Sequence, residues 1–189
     1  SFSRRQRQMC IRDSPNIDRI AHEGVRFDHC YVTNSICTPS RAAILTGTYN
    51  HVNCVKTLDT HMDNDLPHVA KHLQTGGYQT AIVGKWHLGE GQLHEPKGFN
   101  FWSVLPGQGE YFDPFMIEMG TEREEFGYVT DIITSKCINW LNSRDESKPF
   151  FLMCHHKAPH REWEPHPKNR NLFGEDINCL LYTSDAADD

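Results

Sequence analysis

Apolar residues recur every three or four positions in four stretches of the chain, which is the spacing of one buried face of an α-helix. The first helix begins at Pro15. The second opens around Pro39, which fits a first helical turn, and ends at Gly47, which fits a C-terminal cap. The third and fourth cover residues 66–75 and 128–143. These segments predict amphipathic helices.

Three short apolar runs, 25–33, 78–83 and 149–154, predict strands. The chain thus alternates strand and helix, which predicts an α/β fold with parallel strands covered by helices on both faces of the sheet. Residues 49–65 are polar and predict a connecting loop. Gly and Pro punctuate residues 94–126, which we predict to be irregular.

Polar side chains follow each predicted strand. Cys37 follows the first, Lys85 and His87 follow the second, and residues 155–160 (HHKAPH) follow the third. Ligands of α/β proteins bind outside the carboxyl ends of the strands. We therefore expect these side chains to meet at one edge of one sheet.

Cys37 comes directly before a predicted helix, whose N-terminal N–H groups and dipole favour an anion. Arg41 lies one turn further on and carries a planar fork suited to an oxyanion. The alternative is a buried thiol ahead of an ordinary amphipathic helix.

Residues 84–89 (GKWHLG) leave the second strand. If the extended conformation continues, Lys85 and His87 project to one side and Trp86 to the other. Such a pair suits a polyanion, although a solvated lysine beside a packing tryptophan would explain the same residue types.

The formal net charge of the 189-residue chain is −6, so no basic surface argues for a nucleic-acid partner. We see no signal peptide and no membrane-spanning segment in the sequence.

The two ends of the chain can be encoded by nearly the same DNA sequence, read on opposite strands. Arg4 to Asp13 (RRQRQMCIRD) and Cys179 to Asp188 (CLLYTSDAAD) can be encoded by two strings that are reverse complements of each other, apart from the outermost bases. They resemble a sequencing adapter read at both ends of an insert. We therefore predict residues 1–14 and 179–189 to be adapter-derived artefacts. The alternative is a basic N-terminal arm and an acidic tail.

Five cysteines remain between these ends, and neither their odd number nor their spacing indicates a disulfide framework or a metal site. Cys137 lies on the apolar stripe of the fourth helix and Cys154 within the third strand, so we predict both to be buried. The five are Cys30, Cys37, Cys54, Cys137 and Cys154.

Residues 37–47 (CTPSRAAILTG) and 84–89 (GKWHLG) resemble the two signatures of the sulfatase family, and residues 15–27 (PNIDRIAHEGVRF) resemble the segment that leads into the first. The resemblance implies an alkaline-phosphatase-like α/β fold, with residues 15–178 forming an incomplete N-terminal catalytic domain. It also implies hydrolysis of sulfuric esters. In this family the signature cysteine is oxidised to formylglycine, and a hydroxyl of the aldehyde hydrate attacks sulfur.

The same resemblance implies roles for individual residues. Cys37 becomes formylglycine, Arg41 holds it, Lys85 contacts sulfate oxygens, and His87 orients the hydrate or accepts its proton. His160 contacts the sulfate or protonates the leaving oxygen. The predicted catalytic residues are Cys37, Arg41, Lys85, His87 and His160, and the predicted substrate-binding residues are Lys85, His160 and His156.

The family also binds a divalent cation, usually calcium, through acidic pairs that suit a hard cation. Neither pair is found here, so Cys37 as formylglycine is the only metal ligand that we predict in the chain. The remaining ligands would lie outside it, and the fragment itself is expected to be inactive.

Residues 106–114 and 157–165 resemble sulfatases related to N-acetylglucosamine-6-sulfatase, which implies a sulfated glycan substrate with 6-sulfated glucosamine favoured. A formylglycine-generating maturation enzyme is the implied partner, and a periplasmic or extracellular location is implied for the parent protein. The alternatives are a phosphoester or phosphonate monoester hydrolase of the same superfamily, a non-catalytic fragment, and a His-rich zinc module.

Overall fold

The computed structural model describes residues 14–171. Apart from Ser14, the two ends that we predict to be adapter-derived fall outside this range. The described residues divide into two units, one made of residues 14–31 and 165–171 and the other of residues 32–164. The candidate active site lies entirely in the second unit.

The first unit contains helix α1, Pro15–Glu23, at the predicted place. Our predicted strand over residues 25–33 is wrong, because this stretch is irregular. Its apolar residues are exposed; Phe27 and Tyr31, for example, are 77% and 86% exposed. A strand needs a neighbour to satisfy its N–H and C=O groups, and within residues 14–171 no other strand pairs with this stretch.

The second unit is built on a five-stranded sheet in the order β4-β3-β2-β1-β5. The central strand β1 runs parallel to both β2 and β5, whereas β3 and β4 are antiparallel additions at one edge. The strands are β1 (Gln79–Lys85), β2 (Phe101–Leu105), β3 (Phe115–Glu118), β4 (Thr121–Glu124) and β5 (Phe150–His155).

Helices follow most of the predicted segments. Helix α4 begins at Val69 rather than at residue 66 because Pro67 disfavours helical geometry in the residue before it and His68 is extended. Short 3₁₀ turns cover Gln92–His94 and Pro167–Asn169. The α-helices of this unit are α2 (Cys37–Thr46), α3 (Asn50–Asn53, within the predicted loop), α4 (Val69–Thr75) and α5 (Val129–Ser143).

Alternating strand residues fill a core on each face of the sheet. On one face Ile82 and Trp102 pack with the apolar sides of α2 and α4, and on the other Val83 and Leu105 pack with α5. Both faces are therefore covered by helices, as the strand–helix alternation predicts.

Our prediction that residues 94–126 are irregular is wrong, since β2, β3 and β4 lie within them. The hairpin between β3 and β4 turns through Met119 and Gly120, both with positive φ, at 49° and 82°. Two consecutive residues with positive φ are typical of a tight hairpin turn, but Met is not one of the residues from which such a turn is predicted. The two edge strands are also only four residues long, which is too short for a clear alternation.

The register of the parallel strands brings their carboxyl ends together. Gly84 of β1 lies beside His155 of β5, and Lys85 lies beside Leu105 of β2. A Cβ at Gly84 would lie only 2.0 Å from the carbonyl oxygen of His155. The first glycine of residues 84–89 is thus required by the close approach of two backbones.

Cys137 is buried in the core under α5, as predicted, and burial, together with the neighbouring Cys154 thiol, raises its pKa to about 12. Our prediction that Cys154 is buried is wrong, since its side chain is exposed. The reason is that β5 is an edge strand of the sheet within the described residues.

Candidate active site

Cys37 is the first residue of α2, which agrees with its predicted position at a helix N-terminus, but the strand that we predicted before it is absent from the described residues. Ile36 before it is extended, so the chain enters the helix sharply at this point. Its Sγ lies 3.8 Å from the Nζ of Lys85. Because the first N–H groups of a helix have no partner within it, Cys37 sits where both the helix and a cation favour negative charge.

Arg41 ties α2 to the ends of two strands. Its Nη1 donates to the carbonyl oxygen of Lys85 at 2.7 Å and to the Nδ1 of His155 at 3.0 Å. The Nδ1 of His155 also lies 3.2 Å from the carbonyl oxygen of Lys85, so the guanidinium, the imidazole and this carbonyl form one cluster. Burial lowers the pKa of Arg41, and Cys37 opposes that change. Arg41 is thus a fixed cation behind Cys37.

Lys85 is only 3% exposed, and its Nζ also hydrogen-bonds to the Oε1 of Gln108 in the loop after β2. Burial lowers the pKa of Lys85, the nearby cations Arg41 and Lys157 lower it further, and Cys37 works in the opposite direction. Within residues 14–171 no carboxylate forms an ion pair with this ammonium. The positive potential at Cys37 is therefore uncompensated by protein carboxylates in this part of the chain.

His87 leaves the extended conformation, with φ of 54°. Burial lowers the pKa of its ring to about 4, with further contributions from Lys85, Arg41 and His160. Its Nδ1 is buried and has no hydrogen-bond partner among the described residues. A neutral imidazole with an unpartnered ring nitrogen among the described residues thus lies close to two cations.

His160 follows β5 and is held by its backbone. Its carbonyl oxygen accepts a hydrogen bond from the hydroxyl of Tyr111, and its Nδ1 bonds to the carbonyl oxygen of Arg161. Because that oxygen can only accept, Nδ1 carries a proton and Nε2 is the nitrogen left for a ligand. The structure thus gathers Cys37, Arg41, Lys85, His87 and His160 into one region.

Two histidines lie together at the end of β5. No role was predicted for His155, yet its ring anchors Arg41. The Nε2 of His156 lies 3.6 Å from the Sγ of Cys154, and its Nδ1 is buried without a partner among the described residues. The parallel pairing of Gly84 with His155 is the signal that places His155 at the site, and it is not visible in the sequence.

An open cavity of about 620 Å³ lies beside Cys37. Arg41, His155 and His156 form its polar wall, while Trp86 and Met153 are among the apolar side chains on the other walls. A cavity of this size accommodates a small ligand such as a sugar ring.

The described residues do not form a complete cation site. Within residues 14–171 there is no group of three or more His, Cys, Asp and Glu side chains that could hold a metal ion. In addition, the side chains around Cys37 are cations, not carboxylates. Across the same residues, no helix is long and apolar enough to cross a membrane.

A model of the sulfatase family matches residues 6–187 of the chain. The chain belongs to the sulfatase family. This confirms the recognition made from residues 37–47 and 84–89.

Two curated relatives give the scale of the similarity. This sulfatase is 49% identical over 167 residues to an N-acetylglucosamine-6-O-sulfatase from Bacteroides thetaiotaomicron, a match that covers 87% of this chain and 29% of the relative. It is 31% identical over 180 residues to an N-acetylglucosamine-6-sulfatase from Bos taurus, covering 82% of this chain and 31% of the relative. The chain thus spans about a third of the length of these relatives.

A solved structure supports the same fold. A protein captured in complex with its substrate D-glucosamine-2-N,6-O-disulfate matches this sulfatase with a TM-score of 0.80 and 50% identity, over 84% of this chain and 32% of the other. The α/β, alkaline-phosphatase-like fold predicted from the sequence is confirmed by this match.

Proposed function

We propose that the full-length protein carrying this chain is a sulfuric ester hydrolase that removes sulfate from a sulfated glycan. The observation that carries the proposal is the position of Cys37, with the Nζ of Lys85 at 3.8 Å and Arg41 fixed behind it. A sulfate ester brings three oxygens that share negative charge, and fixed cations stabilise the charge that builds up as the ester bond breaks. The family membership of the chain points the same way.

Each residue of the site has a task in this reaction. Lys85 binds sulfate oxygens, and its ammonium needs little reorganisation because Gln108 already holds it. Arg41 fixes the residue at position 37. His87, neutral because its pKa is about 4, accepts a proton at Nδ1. In its imidazolium form, with Nδ1–H held by the carbonyl oxygen of Arg161, His160 donates a proton from Nε2 to the leaving oxygen of the sugar.

The side chain of residue 37 fits the modification that the family uses. It lies at a helix N-terminus and faces a lysine, with the unpartnered Nδ1 of His87 nearby, so an oxygen-rich group would find donors and an acceptor there. Oxidation of Cys37 to formylglycine would supply an oxygen nucleophile through the hydrate of its aldehyde. A maturation enzyme of the formylglycine-generating type is therefore the expected partner.

A 6-sulfated glucosamine is the substrate that we favour. Both curated relatives described above are named for 6-sulfated N-acetylglucosamine, and the solved relative holds a glucosamine disulfate. We further propose that the parent protein uses a divalent cation, with calcium expected, whose other ligands lie outside residues 14–171. A periplasmic or extracellular location is expected for such an enzyme.

The test begins with the full-length gene, expressed together with a formylglycine-generating enzyme. We expect the tryptic peptide containing residue 37 to carry the mass of the aldehyde or its hydrate in place of the thiol. We also expect Cys37→Ala to lower the hydrolysis of N-acetylglucosamine 6-sulfate more than about a thousandfold, as loss of a nucleophile does. The exposed Cys30 is the control, and Cys30→Ala should leave the rate unchanged.

A thiol at residue 37 together with full activity of Cys37→Ala would overturn the proposal. Faster turnover of N-acetylglucosamine 6-phosphate than of the 6-sulfate would favour the phosphoester hydrolase instead.

A further inference from the structure

Lys157 is a buried cation beside the site that has no role in the chemistry described so far. It is 7% exposed, and no carboxylate within residues 14–171 forms an ion pair with it. Burying an ammonium without a compensating carboxylate costs free energy. A fold that keeps such a lysine therefore needs a reason for it.

The ammonium of Lys157 contacts the loop that follows β2. Its Nζ donates to the backbone carbonyl of Gln108 at 3.2 Å and lies 4.8 Å from the ring centroid of Tyr111. The loop is a tight turn, closed by a hydrogen bond from the N–H of Gly109 to the carbonyl oxygen of Pro106 at 2.9 Å. Lys157 thus pins the turn on which Gln108 is carried.

Two hydrogen bonds connect this loop to residues of the proposed mechanism. The side-chain Oε1 of Gln108 accepts from the Nζ of Lys85, and the hydroxyl of Tyr111 donates to the carbonyl of His160. Lys157 also begins a second turn, in which the N–H of His160 donates to the carbonyl oxygen of Lys157 at 3.1 Å. One buried lysine is therefore linked to both the cation and the acid of the site.

We propose that Lys157 is a positioning residue for sulfate-ester hydrolysis: it clamps the carbonyl of Gln108 so that the Gln108 side chain holds Lys85 against residue 37. The proposal rests on the sulfatase function proposed above. We assign Lys157 a positioning role because its ammonium contacts Gln108 and Tyr111, whereas the ammonium of Lys85 is the one that faces the Sγ of Cys37. Lys157 lies two residues after β5 and its ammonium reaches the loop after β2, so it joins two elements of the site.

The first experiment uses the full-length protein, matured with formylglycine, and measures the release of sulfate from N-acetylglucosamine 6-sulfate. We expect Lys157→Met to lower kcat/KM about 10- to 100-fold, because small misplacements of catalytic groups carry such costs. Lys157→Arg keeps the positive charge and the donors, so it should recover most of that loss.

A matched control separates positioning from general stability. Lys136 is also a shielded lysine, but it lies at the far edge of the sheet between Glu118 and Glu125. We expect Lys136→Met to lower the Tm at least as much as Lys157→Met, while kcat/KM stays within about twofold of the wild type, as for a site without contact to the reaction.

A double-mutant cycle tests the path through Gln108. Gln108→Ala removes the side chain that holds Lys85 but keeps the backbone carbonyl. If Lys157 acts through Gln108, then adding Lys157→Met to Gln108→Ala should cost less than about threefold, because residues in one network are not additive.

The outcomes are distinguishable. Sulfate release by the wild type, with equal kcat/KM for Lys157→Met, would overturn the role of Lys157 and leave the proposed function intact. Fully additive losses in the double mutant would also overturn the proposed path. A matured wild type that releases no sulfate would overturn the proposed function and the role of Lys157 with it.

Discussion

Two shielded lysines, Lys136 and Lys85, differ in what surrounds them. Lys136 of α5 makes ion pairs of 2.7 Å with both Glu118 and Glu125. Burial works to lower its pKa, but the hydrogen bonds and charges of the two glutamates outweigh burial and raise it. Lys85 has no such glutamate among the described residues, and its pKa is lowered by burial and by neighbouring cations.

The difference separates a structural charge from a functional one. The charges of Lys136, Glu118 and Glu125 compensate one another inside the protein, so attraction to the two glutamates offsets the free-energy cost of burying the ammonium. The charge of Lys85 is left over, and together with Arg41 it makes a positive potential at residue 37. A buried cation without a protein carboxylate is thus a better marker of an anion-binding site than an ion pair is.

The largest expected effect comes from removing the uncompensated charge. Lys85→Met should lower kcat/KM for N-acetylglucosamine 6-sulfate by roughly a thousandfold, because an oxyanion donor that acts in the transition state is lost. The Tm of the same variant should stay level or rise, since a buried charge without an ion pair is removed at the same time. Steady-state kinetics and thermal unfolding of one preparation check both statements.

The comparison between the two lysines would break if Lys85→Met unfolded the protein at a much lower temperature than the wild type. Lys85 would then be a structural residue of the same kind as Lys136.

Lys136→Met is expected to have a smaller effect, and to lower the stability of the protein instead of the reaction rate. It leaves Glu118 and Glu125 without their shared partner, so the free energy of unfolding should fall by about 2 kcal/mol. The rate of sulfate release should not change, because the cluster lies at the far edge of the sheet. Denaturant unfolding and the rate assay on the full-length protein decide the matter, and a large loss of kcat without loss of stability would contradict our assignment.

An effect of similar size is expected from a buried group that lies away from the site and has no hydrogen-bond partner among the described residues. His68 is 2% exposed, neither of its ring nitrogens has a hydrogen-bond partner among the described residues, and burial lowers its pKa to about 4. In the unfolded chain the His68 ring binds a proton below about pH 6.5, whereas in the folded protein it stays neutral down to about pH 4. His68 should therefore cost about 2 kcal/mol of stability between pH 7 and pH 5.

The measurement is the free energy of unfolding at pH 7 and pH 5 in wild type and His68→Leu. We expect a smaller loss on acidification in the variant than in the wild type. An equal slope in wild type and His68→Leu would show that His68 is not the group that responds.

Local patterns predicted most of the site. The residues around Cys37 and those at 84–89 form two contiguous motifs, and their residue types alone indicate binding of an anion. The strand before Lys85 is a clear apolar run. What the motifs do not contain is contact between them. The hydrogen bond from Arg41 to His155 spans 114 positions and depends on β5 lying beside β1.

The errors have a common physical cause. Residues 25–33 carry the composition of a strand, but composition alone provides no neighbour for its backbone groups. The short strands β3 and β4 are stabilised by each other and by β2, so their pairing, not their own propensity, makes them strands. In both cases the decisive contact is non-local.

The sequence by itself determined the family, the α/β class and the presence of a helix that opens near Pro39 and ends at Gly47. These properties are written in runs of neighbouring residues, where periodicity and capping act over a single turn or strand. Only the tertiary structure decided that Lys85 is buried without a carboxylate, that His155 anchors Arg41, and that Lys157 pins the loop of Gln108. Those facts arise from the register of parallel strands, which brings together residues that are far apart along the chain.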